Sequence, residues 1–246
     1  MKFNTSILID ELSNKLKGID MKYPLGFIDS DLEIYPLGSD TKVLSTFFEM
    51  ITAPLIFEIS KKYNLKVFEP ESQNIYPDFT LAEEVHSKEK IAIDVKTTYK
   101  NNPDSIFSYT LGSYTSFIRD GNETKNILFP FSEYKKHIII GFVYSRNMSK
   151  KTEDSNTYSV KEVEQINPPY KNVNFFVQEK WKIAGDKAGS GNTANIGSIK
   201  GNINDFKNSE GIFENEDEFL NYWKNYGRTA ETRTYRNIEE FRKLNP

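Results

Sequence analysis

The chain has 246 residues, a formal net charge of −3, 37% apolar residues and 14% aromatic residues. That apolar content fills a core and excludes a disordered protein, the length suits one large domain or two small ones, and the acidic balance argues against a loose nucleic-acid coat. There is no cysteine, and the only histidines are His86 and His137; disulfides, thiolate nucleophiles and thiolate-bound zinc are excluded, and any metal site must rest mainly on oxygen ligands, which suits magnesium or manganese.

Met1 to Asp20 holds no apolar run of signal-peptide length, and no later stretch is expected to span a membrane, so a cytoplasmic location is expected. Ile7, Leu8, Leu12 and Leu16 recur at helical spacing and predict an amphipathic helix over about residues 5 to 17, ended by Gly18. A strand is expected at Phe27-Ile28 or at Leu32 to Ile34. Ser39 or Asp40 caps a second helix with a stripe of Leu44, Phe47, Phe48, Ile51, Leu55 and Ile59. Pro54 lies inside it. Glu49 sits about 140° from the centre of that stripe, nearly in line with Lys42. Such a glutamate is usually a solvated one.

Lys66 to Glu69 predicts a short strand, and Ser72-Gln73-Asn74 a polar loop. Then comes the stretch that carries chemistry. Tyr76-Pro77-Asp78-Phe79-Thr80-Leu81 and Ile91-Ala92-Ile93-Asp94-Val95-Lys96-Thr97-Thr98-Tyr99 read as two strands joined by a polar turn, Glu83 to Lys90. Strand side chains alternate faces, so Ile91, Ile93 and Val95 oppose Asp94, Lys96 and Thr98. If the apolar faces of the two strands coincide, Asp78, Asp94 and Lys96 converge. Two carboxylates and an ammonium on a rigid sheet can hold a hard divalent cation beside a water molecule. Taken alone, Pro-Asp followed at a variable distance by Asp/Glu-x-Lys is a weak signal.

Further on, Phe107 to Leu111 predicts a strand, and His137 to Tyr144 a central strand covered on both faces, with His137 structural. Val160, Val163 and Ile166 predict a short helix. Val173 to Val177 and Trp181 to Ala184 predict strands. Ala188 to Ser198 is rich in glycine, asparagine and threonine. Gly189 to Ala194 matches a dinucleotide-loop variant, Gly-x-Gly-x-x-Ala, but lacks the amphipathic helix that should follow. The composition suits a backbone that approaches a ligand closely. Phe219, Leu220, Tyr222, Trp223 and Tyr226 mark a C-terminal helix. Four of the six arginines, Arg228, Arg233, Arg236 and Arg242, fall beyond it, and arginine suits phosphate contacts. With no repeat or clear linker, residues 1–246 read as one mixed α/β domain.

Several of these stretches together resemble the EcoRV family of type II restriction endonucleases, within the PD-(D/E)xK nucleases. They are Ile34 to Thr46, Tyr76 to Leu81, Ile93 to Tyr99 and Ala188 to Ser198, and the similarity runs from about residue 34 to 235. The resemblance implies an α/β (α+β) fold, a mixed β-sheet core flanked by helices with a small dimerisation subdomain. It implies a homodimer clamped on double-stranded DNA, with dimer segments near residues 22–36 and 152–165. It implies Mg²⁺-dependent cleavage at the centre of the palindrome GATATC, leaving blunt ends and 5′-phosphates, with Mn²⁺ able to substitute. A cognate DNA methyltransferase is expected in the same cell. By the same resemblance Asp78, Asp94 and Glu49 are metal carboxylates, and Lys96 positions or deprotonates the attacking water or steadies the pentavalent phosphorus. Gly189, Gly191, Asn192 and Thr193 match a major-groove recognition loop, and Gln73 and Asn74 a minor-groove loop. Thr98, Lys125, Arg228 and Arg233 match backbone contacts. Ser72, Ile75, Ala194 and Lys200 depart from the family pattern, which leaves the target sequence open. Two readings stay beside this one: a metal-dependent repair or structure-specific nuclease of the same superfamily, and a non-catalytic DNA-binding protein with solvated acids.

Overall fold

The computed structural model describes residues 4–19, 24–102, 104–112, 114–147, 156–190, 195–227, 229 and 231–245. Helix α1 spans Thr5–Gly18, with Asn4 accepting the Ser6 N–H as its cap. It buries Leu8, Leu12 and Leu16, one residue per turn on a single face. Strands β1 (Gly26–Ile28) and β2 (Glu33–Pro36) form a hairpin, so a strand lies at each of the two alternative places rather than at one. Helix α2 (Thr41–Lys62) is capped by Asp40, whose Oδ1 accepts from the N–H groups of Lys42 and Val43 at 2.9 and 3.2 Å. The helix continues through Pro54, which is exposed. Its length and apolar composition would allow it to cross a bilayer. Here Leu44, Phe48, Ile56 and Ile59 instead bury against the sheet.

The main sheet contains β3 (Lys66–Phe68), β4 (Phe79–Ala82), β5 (Lys90–Lys100), β6 (Tyr134–Arg146) and β8 (Tyr170–Glu179), in that order. β4 pairs antiparallel with β5, β5 runs parallel to β6, and β6 is antiparallel to β8. The short helix α3 (Tyr114–Arg119) and a 3₁₀ turn at Phe131–Glu133 fall between β5 and β6. β7 (Tyr158–Ser159) extends the β1–β2 hairpin to three strands and leads into the 3₁₀ turn Val160–Gln165.

The sheet is covered on both faces. Ile91, Ile93, Val95, Ile138, Ile140, Phe142 and Tyr144 pack under α1 and α2. Ala92, Ile139, Val143 and Phe176 pack toward the C-terminal helices. The alternation along β5 and β6 is that of strands buried on both sides. Gly141 of β6 leaves room for Phe176, because a Cβ there would stand 2.2 Å from its ring.

Of Trp181 to Ala184, expected as a strand, Trp181 to Ile183 instead end a 3₁₀ turn, Lys180–Ile183, and only Ala184 is in a strand. The hairpin β9 (Ala184–Ala188) and β10 (Ile196–Ser198) follows it. A strand thus lies where a dinucleotide loop would need a helix. Phe107 to Leu111 forms isolated bridges to this hairpin and its C-terminal side rather than a full strand. Helices α4 (Ile203–Lys207), α5 (Glu216–Asn225) and α6 (Ile238–Leu244) close the second face. The C-terminal arginines are partly structural: Arg242 grips Glu218 of α5 at 2.7 and 2.9 Å.

Phe48 joins helix to sheet. It is fully buried and stacks on Phe142 and Tyr144, with centroids 4.5 and 5.7 Å away. Phe48→Ala is expected to lower the unfolding free energy by about 3–5 kcal/mol in urea denaturation, the cost of a large buried cavity.

Candidate active site

The pairing of β4 with β5 decides where the acids lie. Phe79 pairs with Ile93 in antiparallel register, so Asp78 leaves β4 beside Asp94. Val95 donates its backbone N–H to Asp78 Oδ2 at 2.6 Å. The Asp78 carboxylate thereby takes over a donor at the point where the β4–β5 ladder stops. Asp94 is 3% exposed and Lys96 lies two residues on, on the same face. Lys96 Nζ stands 2.7 Å from Asp94 Oδ2. The expected convergence of Asp78, Asp94 and Lys96 is therefore present.

A residue absent from the sequence reading completes the group. Lys180 is 1% exposed, and its Nζ lies 4.0 Å from the same Asp94 oxygen. Glu49 of α2 is half-buried and feels the charges of both Lys96 and Asp94. Among the described residues, however, no three acidic or histidine side chains are placed to hold one ion. Glu49 stands near the pair without joining it in a closed cluster.

Charge and burial act against each other here. Burial, then the neighbouring Asp94 charge, push the Asp78 carboxyl up to about 7. Burial also raises the Glu49 carboxyl above its ordinary value, against the pull of Lys96. Burial opposes the charge on Lys96, but Asp94 and Asp78 outweigh it and hold the ammonium above its ordinary value. Burial brings Lys180 down to about 7. Asp94 Oδ2 is buried and has ion-pair neighbours but accepts no hydrogen bond of ordinary geometry. Two hard carboxylates in mutual repulsion, one with such an oxygen, fit a divalent cation of the magnesium class. That class uses one or two carboxylates and completes its shell with water and phosphate.

Asp78, Asp94, Lys96 and Lys180 line one cleft of about 300 Å³, and Glu49 is not among its lining residues. Gln73, Asn74 and Lys125 stand on its wall with Asp78, Asp94, Lys96 and Lys180. Gln73, Asn74 and Lys125 are exposed, as ligand-contacting side chains must be. Thr98 follows Lys96 on the same face of β5 and is partly exposed. Arg233 lies elsewhere. Its guanidinium sits 4.8 Å from the Tyr226 ring centroid, and its Nε donates to Gly227 O. Gly189 begins the glycine-rich loop just beyond β9, and its N–H donates to Asn195 O at 2.8 Å. Ser190 Oγ bonds Thr110 Oγ1 at 2.8 Å, which ties the stem of the loop to the Phe107 to Leu111 segment. A second cavity of about 790 Å³ lies beneath this stem. Gly191, Asn192, Thr193, Ala194 and Arg228 lie outside the described residues.

Comparison with known proteins decides the family. The family model "Restriction endonuclease EcoRV" matches residues 22–245. The chain belongs to the EcoRV family of restriction endonucleases. The type II restriction enzyme EcoRV of Escherichia coli is 51% identical over 238 residues, covering 96% of each chain. The NlaIV restriction endonuclease structure aligns at 12% identity with a TM-score of 0.47, covering 100% of this chain and 91% of the other. The protein is a type II restriction endonuclease, an enzyme that hydrolyses DNA phosphodiester bonds. Nucleases of the EcoRV family generally depend on divalent metal.

Asp78 gives this site a measurable signature. Its folded value near 7, against an ordinary 3.8, means that the folded metal-free protein binds the proton more tightly than the unfolded chain. Stability therefore falls as pH rises from about 4 to about 7 and stays lower above that, by at most about 4 kcal/mol. In Asp78→Asn the amide oxygen can still accept from Val95, and the charge is gone. In chelator at pH 8 this variant is expected to melt at least about 2–4 °C above wild type, with no gain at pH 4. An equal gain at both pH values contradicts the assignment.

Proposed function

We propose that this enzyme is a homodimer that cuts duplex DNA at the centre of GATATC, leaving blunt ends with 5′-phosphates, in a Mg²⁺-dependent reaction that Mn²⁺ also supports. The convergence of Asp78, Asp94 and Lys96 in one cleft carries this reading. Asp78 and Asp94 would hold the cation, with Glu49 available to a further metal position. When bound, the cation polarises the scissile phosphate and lowers the pKa of a coordinated water. Lys96, kept charged by its carboxylates, would donate hydrogen bonds to that water or to a phosphate oxygen.

The remaining residues hold DNA. Gln73 and Asn74 at the mouth of the cleft suit the minor groove. Gly189, Gly191, Asn192 and Thr193 suit the major groove, where base pairs present distinct donor and acceptor patterns. Thr98, Lys125, Arg228 and Arg233 would contact phosphates, which fix register without reading sequence. A central TA step kinks easily, so bending would add specificity.

Two protomers on a two-fold palindrome match symmetry to symmetry. The β1–β2–β7 sheet supports that arrangement. Phe27, Ile28, Leu32, Tyr35 and Val160 are 47–63% exposed there, an apolar patch within the 22–36 and 152–165 segments. In the sequence, Ser72 and Ile75 flank Gln73-Asn74, and Ala194 and Lys200 follow Thr193; these departures bear on the choice of target. We place the protein in the cytoplasm, where a cognate methyltransferase would protect host sites.

Digestion of a plasmid of known sequence, followed by end sequencing, tests the proposal. Discrete blunt fragments cut at GATATC are expected from wild type with Mg²⁺. Asp94→Ala and Lys96→Ala should each slow cleavage by more than about a hundredfold while the protein stays folded. A smear, nicking confined to branched DNA, or full activity in either variant would sink the reading.

A further inference from the structure

Lys180 is the second ammonium at the site, and it enters from behind. It opens the 3₁₀ turn that follows β8. Its Nζ lies 4.0 Å from Asp94 Oδ2, donates to Tyr76 Oη over 3.3 Å and stands 4.3 Å from the Tyr76 ring centroid. Tyr76 Oη lies 2.8 Å from His137 Nδ1 on β6. A phenol has one proton. By accepting from Lys180, Tyr76 can donate that proton to Nδ1, which assigns the other ring nitrogen of His137 as the protonated one. The His137 ring is stacked between Phe131 and Tyr76, at 4.9 and 5.9 Å, so the far end of this chain is fixed.

Tyr76 is also the approach to Asp78. Its N–H donates to Asn126 O at 2.9 Å, and its carbonyl accepts from Leu128 N at 2.8 Å. Pro77 follows, and then Asp78. Lys180 therefore faces one carboxylate across a 4.0 Å ion pair and reaches the other through a hydrogen bond to the residue two positions ahead of it. Lys96 cannot perform this role, because it stands on the same strand as Asp94 and moves with it. An apolar side chain of similar length would fill the buried volume at less cost than an ammonium.

We infer that Lys180 is a positioning residue for DNA cleavage, tying Asp94 to the Tyr76-Pro77-Asp78 turn so that the two carboxylates keep one separation. This rests on the nuclease reading above. It goes beyond that reading in naming a buried polar chain, Asp94–Lys180–Tyr76–His137, as part of the cutting apparatus.

The test uses Lys180→Met, Tyr76→Phe and the double variant. Single-turnover cleavage of a GATATC duplex is measured in Mg²⁺, and affinity for the same duplex by fluorescence anisotropy in Ca²⁺. Lys180→Met should cut at least about tenfold more slowly, and Tyr76→Phe about three- to tenfold, with DNA affinity within about twofold of wild type in both. Because Tyr76 acts through Lys180, the double variant should be no slower than Lys180→Met. Additive losses, or a fall in DNA affinity that matches the fall in rate, would overturn the inference. Tyr76→Phe removes only a hydroxyl, so a wild-type rate in it overturns the inference whether or not Lys180→Met folds. A wild type that does not cut the GATATC duplex overturns the proposed target sequence instead.

Discussion

The site depends on one constraint, the hydrogen-bonded ladder of β5. This strand is held antiparallel by β4 and parallel by β6, and most of its length is buried. Asp94 cannot retreat from Asp78 without breaking that ladder, and Asp78 is held by the Val95 N–H. Two carboxylates that would separate in solution are kept together by backbone bonds that cost several kcal/mol to leave unmade. The repulsion is therefore a built property of the sheet.

The other charges at the site answer that repulsion. Lys96 approaches Asp94 from the cleft side of the same strand, and Lys180 approaches the same oxygen from the core. Neither gives Asp94 Oδ2 a hydrogen bond of ordinary geometry. A group in this state favours an added cation, and a restriction endonuclease has a use for one. Around it the fold sets Gln73 and Asn74 on the wall of the same cleft, and the β9–β10 hairpin carries the stem of the glycine-rich loop. The exposed apolar sheet, β1–β2–β7, is a separate structure from the main sheet.

Much of this was legible in the sequence because it depends on local periodicity. The alternation of Ile91, Ile93 and Val95 against Asp94 and Lys96 is the alternation found in β5. The stripe of α2 and the apolar run of β6 were equally plain. Lys180 was not, because it falls between two expected strands, flanked by Glu179 and near Lys182, with no periodicity to mark it as buried. It is buried only because β8 returns against β6 and carries that turn behind Asp94. The strand expected at Trp181 failed for the same reason, since the chain must turn there before β9. Helix α6 has a short stripe, Ile238 and Phe241, and its burial comes from contacts with α5 across distant sequence. Tyr76 showed nothing beyond its place before Pro77, as its role lies in a contact with a residue 104 positions away.

The most direct measurement is a calorimetric titration of Mn²⁺ into the DNA-free protein at pH 6 and pH 8. If Asp78 and Asp94 form the cation site, the ion must displace a proton held near pH 7. Affinity should then rise by about tenfold or more between the two pH values. Affinity that does not change with pH would contradict the assignment of the carboxylate pair as the cation site.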